Sequence, residues 1–127
     1  MLRNAPLFAG FAVDDMGKAK EFYGKTLGVQ VDAQGEFLAR LRAANGYSVL
    51  MYAKPNHEPA AHTILNFPVD DIEATVDRLA KAGVKFEHYD GAIKTNEKGI
   101  AMPPPGRGPK QAWFRDPAGN ILSVLEE

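Results

Sequence analysis

Apolar positions recur along this chain in two blocks of the same design. Met16, Ala19, Phe22, Tyr23 and Leu27 fall at helical spacing, while Lys18, Lys20, Glu21 and Lys25 occupy the remaining positions, so the first block predicts a helix with one buried face. Ile72, Val76, Leu79 and Ala80 form a second stripe of the same kind. Each stripe follows a short apolar run that ends in two acidic residues: Phe11-Ala12-Val13-Asp14-Asp15 has its counterpart in Phe67-Pro68-Val69-Asp70-Asp71. Leu27-Gly28-Val29 likewise corresponds to Ala82-Gly83-Val84. The acidic pairs suit helix N-capping better than paired-carboxylate catalysis, and each glycine suits a left-handed C-cap.

Beyond each helix the apolar period shortens toward two, the period of a strand. Strands are expected at 29–32, 37–41 and 47–53 in the first half, where Gly35 and Asn45-Gly46 mark turns. In the second half they are expected at 84–89, 111–115 and 121–125, the last two joined by a tight turn through Asp116-Pro117-Ala118-Gly119-Asn120. Residues 90–109, which include PPPGRGP, read as one long loop, either a lid or a plain surface segment. The pattern is an α+β fold of two tandem βαβββ modules, module one at 1–54 and module two at 61–127, with a linker at 55–60.

Composition narrows the chemistry. A length of 127 residues suits one domain, and a formal net charge of -1 gives no field to gather phosphates or anionic lipid, so neither nucleic acid nor a membrane is an expected partner. Cysteine is absent, which excludes disulfides, thiolate metal sites and thiol nucleophiles. No secretory h-region or long apolar span is apparent, and the expected location is the cytoplasm.

Two βαβββ units with VDD before each helix, FYGKTLGV after the first and FRDPAGNILSVLEE at the end resemble the vicinal oxygen chelate superfamily. That group includes glyoxalase I, extradiol dioxygenases, fosfomycin resistance proteins and bleomycin resistance proteins. The resemblance covers nearly the whole chain and implies an open, cup-shaped barrel, usually in a homodimer, with the ligand in the cup. It also implies where metal-dependent members place their ligands. Here those positions carry Phe8, Leu50 or Met51, Ile64 and Ser123. A catalytic divalent ion needs about three N or O ligands from the protein, and this set does not supply them, so neither a metal nor another cofactor is expected.

Strand alternation then assigns Phe8, Gly10 and Ala12 to the cup side and Ala9, Phe11 and Val13 to the helix side. In the fifth strand it assigns His62, Ile64 and Asn66 to the cup, opposite Leu65, Phe67 and Val69, and Ser123 joins them from the last strand. Tyr52 and Trp113 suit either stacking on a planar ligand or core packing. Arg40 and Arg115 suit either an anionic ligand or plain surface charge. His57-Glu58-Pro59-Ala60-Ala61-His62 is not an HExxH zinc motif, because the second histidine comes at i+5 and Pro59 intervenes; His57 reads as a solvated linker residue. Gly24-Lys25-Thr26 lies in a helical stretch rather than a phosphate-binding loop.

The expected function is metal-free binding of an aromatic or planar organic molecule, as the bleomycin-resistance branch implies. Its ligand-contacting residues are Phe8, Tyr52, His62, Ile64, Asn66, Trp113 and Ser123, and no catalytic residue is assigned. The alternatives are a metal-dependent glyoxalase- or dioxygenase-type enzyme using His62, Glu58 and a loop residue, acid–base catalysis through His62 or Tyr52, and a cup filled by its own side chains.

Overall fold

Asp15 and Asp71 start the two helices in the same way. Each is extended at the N-cap, and its carboxylate accepts a backbone N–H three residues on: Lys18 N at 3.0 Å and Ala74 N at 3.1 Å. Helix α1 covers Met16–Glu21, and its last turn widens to π form over Phe22–Thr26, where Leu27 N reaches back to Phe22 O at 2.9 Å. Helix α2 covers Ile72–Lys81. Gly28 and Gly83 end them with φ of 73° and 100°, the left-handed conformation that costs L side chains about 1–2 kcal/mol.

The computed structural model describes residues 1–127 as two units, Met1–Glu58 and Pro59–Glu127. In the first, strands β1 (Gly10–Val13), β2 (Gln30–Ala33), β3 (Leu38–Arg42) and β4 (Ser48–Ala53) form a sheet of order β1-β4-β3-β2. Strand β1 runs parallel to β4, and the other pairs are antiparallel. Phe11 and Val13 lie on the helix side as expected, buried with Ala39, Leu41, Met51, Met16, Ala19 and Tyr23, and the Tyr23 ring tilts against Phe11 at 5.7 Å; Ala9, expected beside them, is exposed. Met51 lies on this helix side, so the open side receives Leu50, opposite Gly10.

The second unit repeats the order. Strands β5 (Thr63–Pro68), β6 (Ile100–Ala101), β7 (Lys110–Arg115) and β8 (Ile121–Glu126) form a sheet of order β5-β8-β7-β6, with β5 parallel to β8. Its core comprises Ile72, Val76, Val84, Ile100, Ala112, Phe114, Leu122 and Val124. Glu126 extends the helix contact by accepting Ile72 N at 2.9 Å.

Two expectations need correction here. The segment 84–89 forms no regular strand; it touches the sheet through an isolated bridge between Phe86 and Phe114 and through Glu87 N donating to Trp113 O at 2.8 Å. The strand that follows the helix comes instead from inside the expected long loop. There Asn96 Oδ1 accepts both Lys98 N and Ile100 N at 2.9 Å, and Gly99, at φ 86°, turns the chain so that Ile100 is fully buried. Residues 90–94 and the Pro-Gly stretch from Pro104 to Gly108 are exposed parts of that segment.

Candidate functional site

Each sheet has one face packed on its helix and a second face lined by a mixture of apolar, aromatic and polar side chains. In the first unit this open face is read from the register: Gly10–Leu50–Arg40–Asp32 form one row across the strands, and Ala12–Tyr52–Leu38 form the next. Phe8 lies beyond the start of β1 in the same alternation and is 54% exposed; Leu38 and Tyr52 are each 39% exposed. The Arg40 guanidinium stands over the Phe8 ring at 4.6 Å, and its Nη1 donates to Ser48 Oγ at 3.3 Å. Beside it Arg42 is bound to Asp32, which also accepts from Gln30 Nε2 at 3.3 Å. The Arg42 hydrogen bond, more than any other influence, holds the Asp32 carboxyl below the usual carboxylate range.

In the second unit Asn66, Ser123 and Trp113 are neighbours across β5, β8 and β7. Ser123 is wholly buried. Its hydroxyl donates to Asn66 Oδ1 at 2.6 Å and accepts from Gln111 Nε2 at 3.0 Å, so its oxygen is committed within the sheet. Trp113 meets Tyr89 edge to face at 5.7 Å, and Tyr89 is fixed through Thr95, whose hydroxyl accepts Tyr89 N at 2.8 Å. Tyr89 is not among the residues that the sequence assigns to the cup, and the strand expected at 84–89 does not form.

The structure brings Phe8 and Tyr52 onto one open face, and Asn66, Ser123 and Trp113 onto another. It treats His62 and Ile64 differently. His62 is exposed and precedes β5, and the pairing slips by one residue between Thr63, opposite Ile121, and Leu65, opposite Leu122. The extra residue, Ile64, makes a bulge, and the alternation that grouped His62 and Ile64 with Asn66 is interrupted there.

Other candidates resolve individually. Arg115 binds Glu87 Oε1 at 2.6 Å and the Gly119 carbonyl at 3.1 Å, so its charge is neutralised. His57 is half-buried and not a solvated residue: its Nε2 is buried with no hydrogen-bond partner. Asp116 is structural. Its Oδ1 accepts Ala118 N and Asn120 N, and its Oδ2 accepts Asn120 Nδ2, each at 2.9 Å.

The donor set does not fit a divalent metal at the positions that the resemblance implies. Phe8, Leu50 and Ile64 carry no N or O ligand, and the Ser123 hydroxyl is engaged on both sides. Within either unit no three His, Asp or Glu side chains are grouped to hold an ion. No helix is long and apolar enough to cross a membrane.

Residues 7–124 match the family described as the Glyoxalase/Bleomycin resistance protein/Dioxygenase superfamily. Similar solved structures include TnmS3, an antibiotic binding protein from Streptomyces sp. CB03234, at 23% identity and TM-score 0.67, with 97% of each chain covered. A glyoxalase / bleomycin resistance protein from Catenulispora acidiphila is 26% identical over 95% of this chain and 96% of its own, at TM-score 0.62. The fosfomycin resistance protein FosX from Listeria monocytogenes is 10% identical, with TM-score 0.71 over 98% of this chain and 93% of its own. No curated protein matches the sequence.

Proposed function

Because the chain belongs to the glyoxalase/bleomycin resistance protein/dioxygenase superfamily, we propose that it is a metal-free small-molecule-binding protein, a cytoplasmic homodimer that takes an aromatic or otherwise planar organic compound. One observation carries this reading: the positions where metal-dependent members would hold their ion carry Phe8, Leu50, Ile64 and a Ser123 hydroxyl already bonded to Asn66 and Gln111. The surrounding surfaces suit an organic ligand. Phe8, Leu38 and Tyr52 offer apolar and aromatic area on one sheet, and Trp113 with Tyr89 offers a fixed aromatic corner on the other.

Thermal denaturation against a panel of planar compounds, antibiotics included, tests the reading. A binder gains about 2.7 kcal/mol of folded-state stability at a hundred times its Kd, so at least one class raises Tm in a concentration-dependent way. Prior treatment with a chelator leaves both Tm and that shift unchanged. A flat panel, or one tightly held ion per chain by elemental analysis whose removal lowers Tm, overturns it. Light scattering checks the dimer.

A further inference from the structure

Arg40 differs from the other arginines placed on the sheets. Arg42 is neutralised by Asp32 and Arg115 by Glu87, whereas Arg40, half-buried in β3, has no carboxylate within ion-pair distance. Its register neighbour Asp32 is already taken by Arg42. What holds Arg40 is uncharged: the face of Phe8 beneath the guanidinium at 4.6 Å and the Ser48 hydroxyl on Nη1 at 3.3 Å. These two contacts hold the group on the sheet and engage one of its five N–H donors. Around it stand Leu38, Leu50 and Tyr52, with Gly10 adding no side chain to its row.

We propose that Arg40 is an anion subsite, and that the ligand of this protein carries a carboxylate or a similar oxyanion on its flat, apolar body. The inference rests on the small-molecule-binding reading above and names the charge of its ligand. A guanidinium stays protonated across the working pH range and presents a planar fork matched to two carboxylate oxygens. Charged hydrogen bonds of this kind are stronger than neutral ones, and the partly desolvated, apolar setting strengthens them further. Phe8 is thereby the cation–π support of Arg40, and Leu38, Leu50 and Tyr52 offer the apolar area for the ligand's ring.

Matched pairs of aromatic carboxylates and their carboxamides, on benzene, naphthalene and indole, test this by calorimetric titration of the intact protein. They share shape and ring area and differ in charge. At least one carboxylate is expected to bind about ten-fold or more tightly than its amide, and Arg40→Met to reduce that preference to about two-fold or less while leaving amide binding nearly unchanged. Ser48→Ala weakens the preference partially, and Arg107→Met, which removes the same charge from an exposed loop residue, leaves it intact. Should Arg40→Met fail to fold, the Arg40 Nε–H resonance of the unmodified protein gives the same answer, moving with the carboxylate and not with the amide.

Equal affinity within every pair, a preference that survives Arg40→Met, or an unmoved Arg40 resonance overturns the proposal and leaves the binding reading standing. No binding by any carboxylate or amide overturns the proposal too, and the thermal panel of planar compounds then decides the binding reading.

Discussion

Asp32 on β2 and Arg42 on β3 are diagonal neighbours near the surface, and their pairing has a definite pH signature. The Arg42 hydrogen bond lowers the folded-state pKa of Asp32 below that of the unfolded chain. Its contribution to stability is therefore complete above the unfolded value, about 3.9 for Asp, and is lost as pH falls through the depressed folded value. An NMR titration of the Asp32 carboxyl is expected to give a midpoint below that of a free aspartate, and Arg42→Met to raise it, with the Gln30 hydrogen bond left in place. Because the pair is exposed, the effect on Tm at neutral pH is small. Asp116 is the opposite case: it is 4% exposed and receives the turn's N–H groups and the Asn120 amide. Asp116→Ala orphans these donors inside the protein and is expected to cost about 3 kcal/mol in denaturant unfolding. Of these two carboxylates the buried one matters more, and the Asp116-Pro117-Ala118-Gly119-Asn120 string marks it as turn chemistry.

At the scale of elements, the glycines divide by what surrounds them. Gly28 has φ 73° and nothing within 4 Å of an added Cβ, so an alanine meets backbone strain alone. Gly99 has φ 86°, and a Cβ there would stand 2.9 Å from Phe86 Cβ and 3.0 Å from Glu87 O. Gly28→Ala is expected to cost about 1–2 kcal/mol, and Gly99→Ala about 1–3 kcal/mol more, since overpacking adds to strain. Equilibrium unfolding of the two variants side by side checks the difference. The comparison also explains which elements were legible. Helices α1 and α2, with their aspartate caps and Gly28 and Gly83 ends, depend on neighbours within a turn of the chain, and local sequence carries that information. Strand β6 depends on Asn96 collecting two N–H groups and on Gly99 fitting against Phe86, contacts that no alternation rule contains. The π turn at Phe22–Thr26 and the bulge at Ile64 are insertions of a single residue. Periodicity averages over such insertions, which is why His62 and Ile64 fell out of phase.

For the molecule as a whole, the duplication gives each unit a sheet with two unlike faces. Both units pair a helix-covered sheet face with a second face of mixed apolar, aromatic and polar side chains. Phe8, Leu38 and Tyr52 keep substantial exposure, and exposed aromatic area of this kind is characteristic of binding surfaces. Burial of that area by a ligand should appear as a negative heat-capacity change of binding, measurable in the titrations that compare carboxylates with amides. An aromatic acid bound with no heat-capacity change would place the contact at Arg40 alone and remove the ring from the surface.

The sequence alone determined the duplicated βαβββ order, both helices with their caps, the Asp116–Asn120 turn and the absence of metal-ligand residue types at Phe8, Ile64 and Ser123. These follow from local spacing and side-chain chemistry, which the order of residues states directly. Only the tertiary structure decided that Ser123 is spent on Asn66 and Gln111, that Leu50 rather than Met51 faces out, that Tyr89 braces Trp113, and that Arg40 alone among the sheet arginines keeps its charge uncompensated. Those outcomes depend on cross-strand register, on which residue of one strand lies beside which of another. A one-residue slip exchanges every partner.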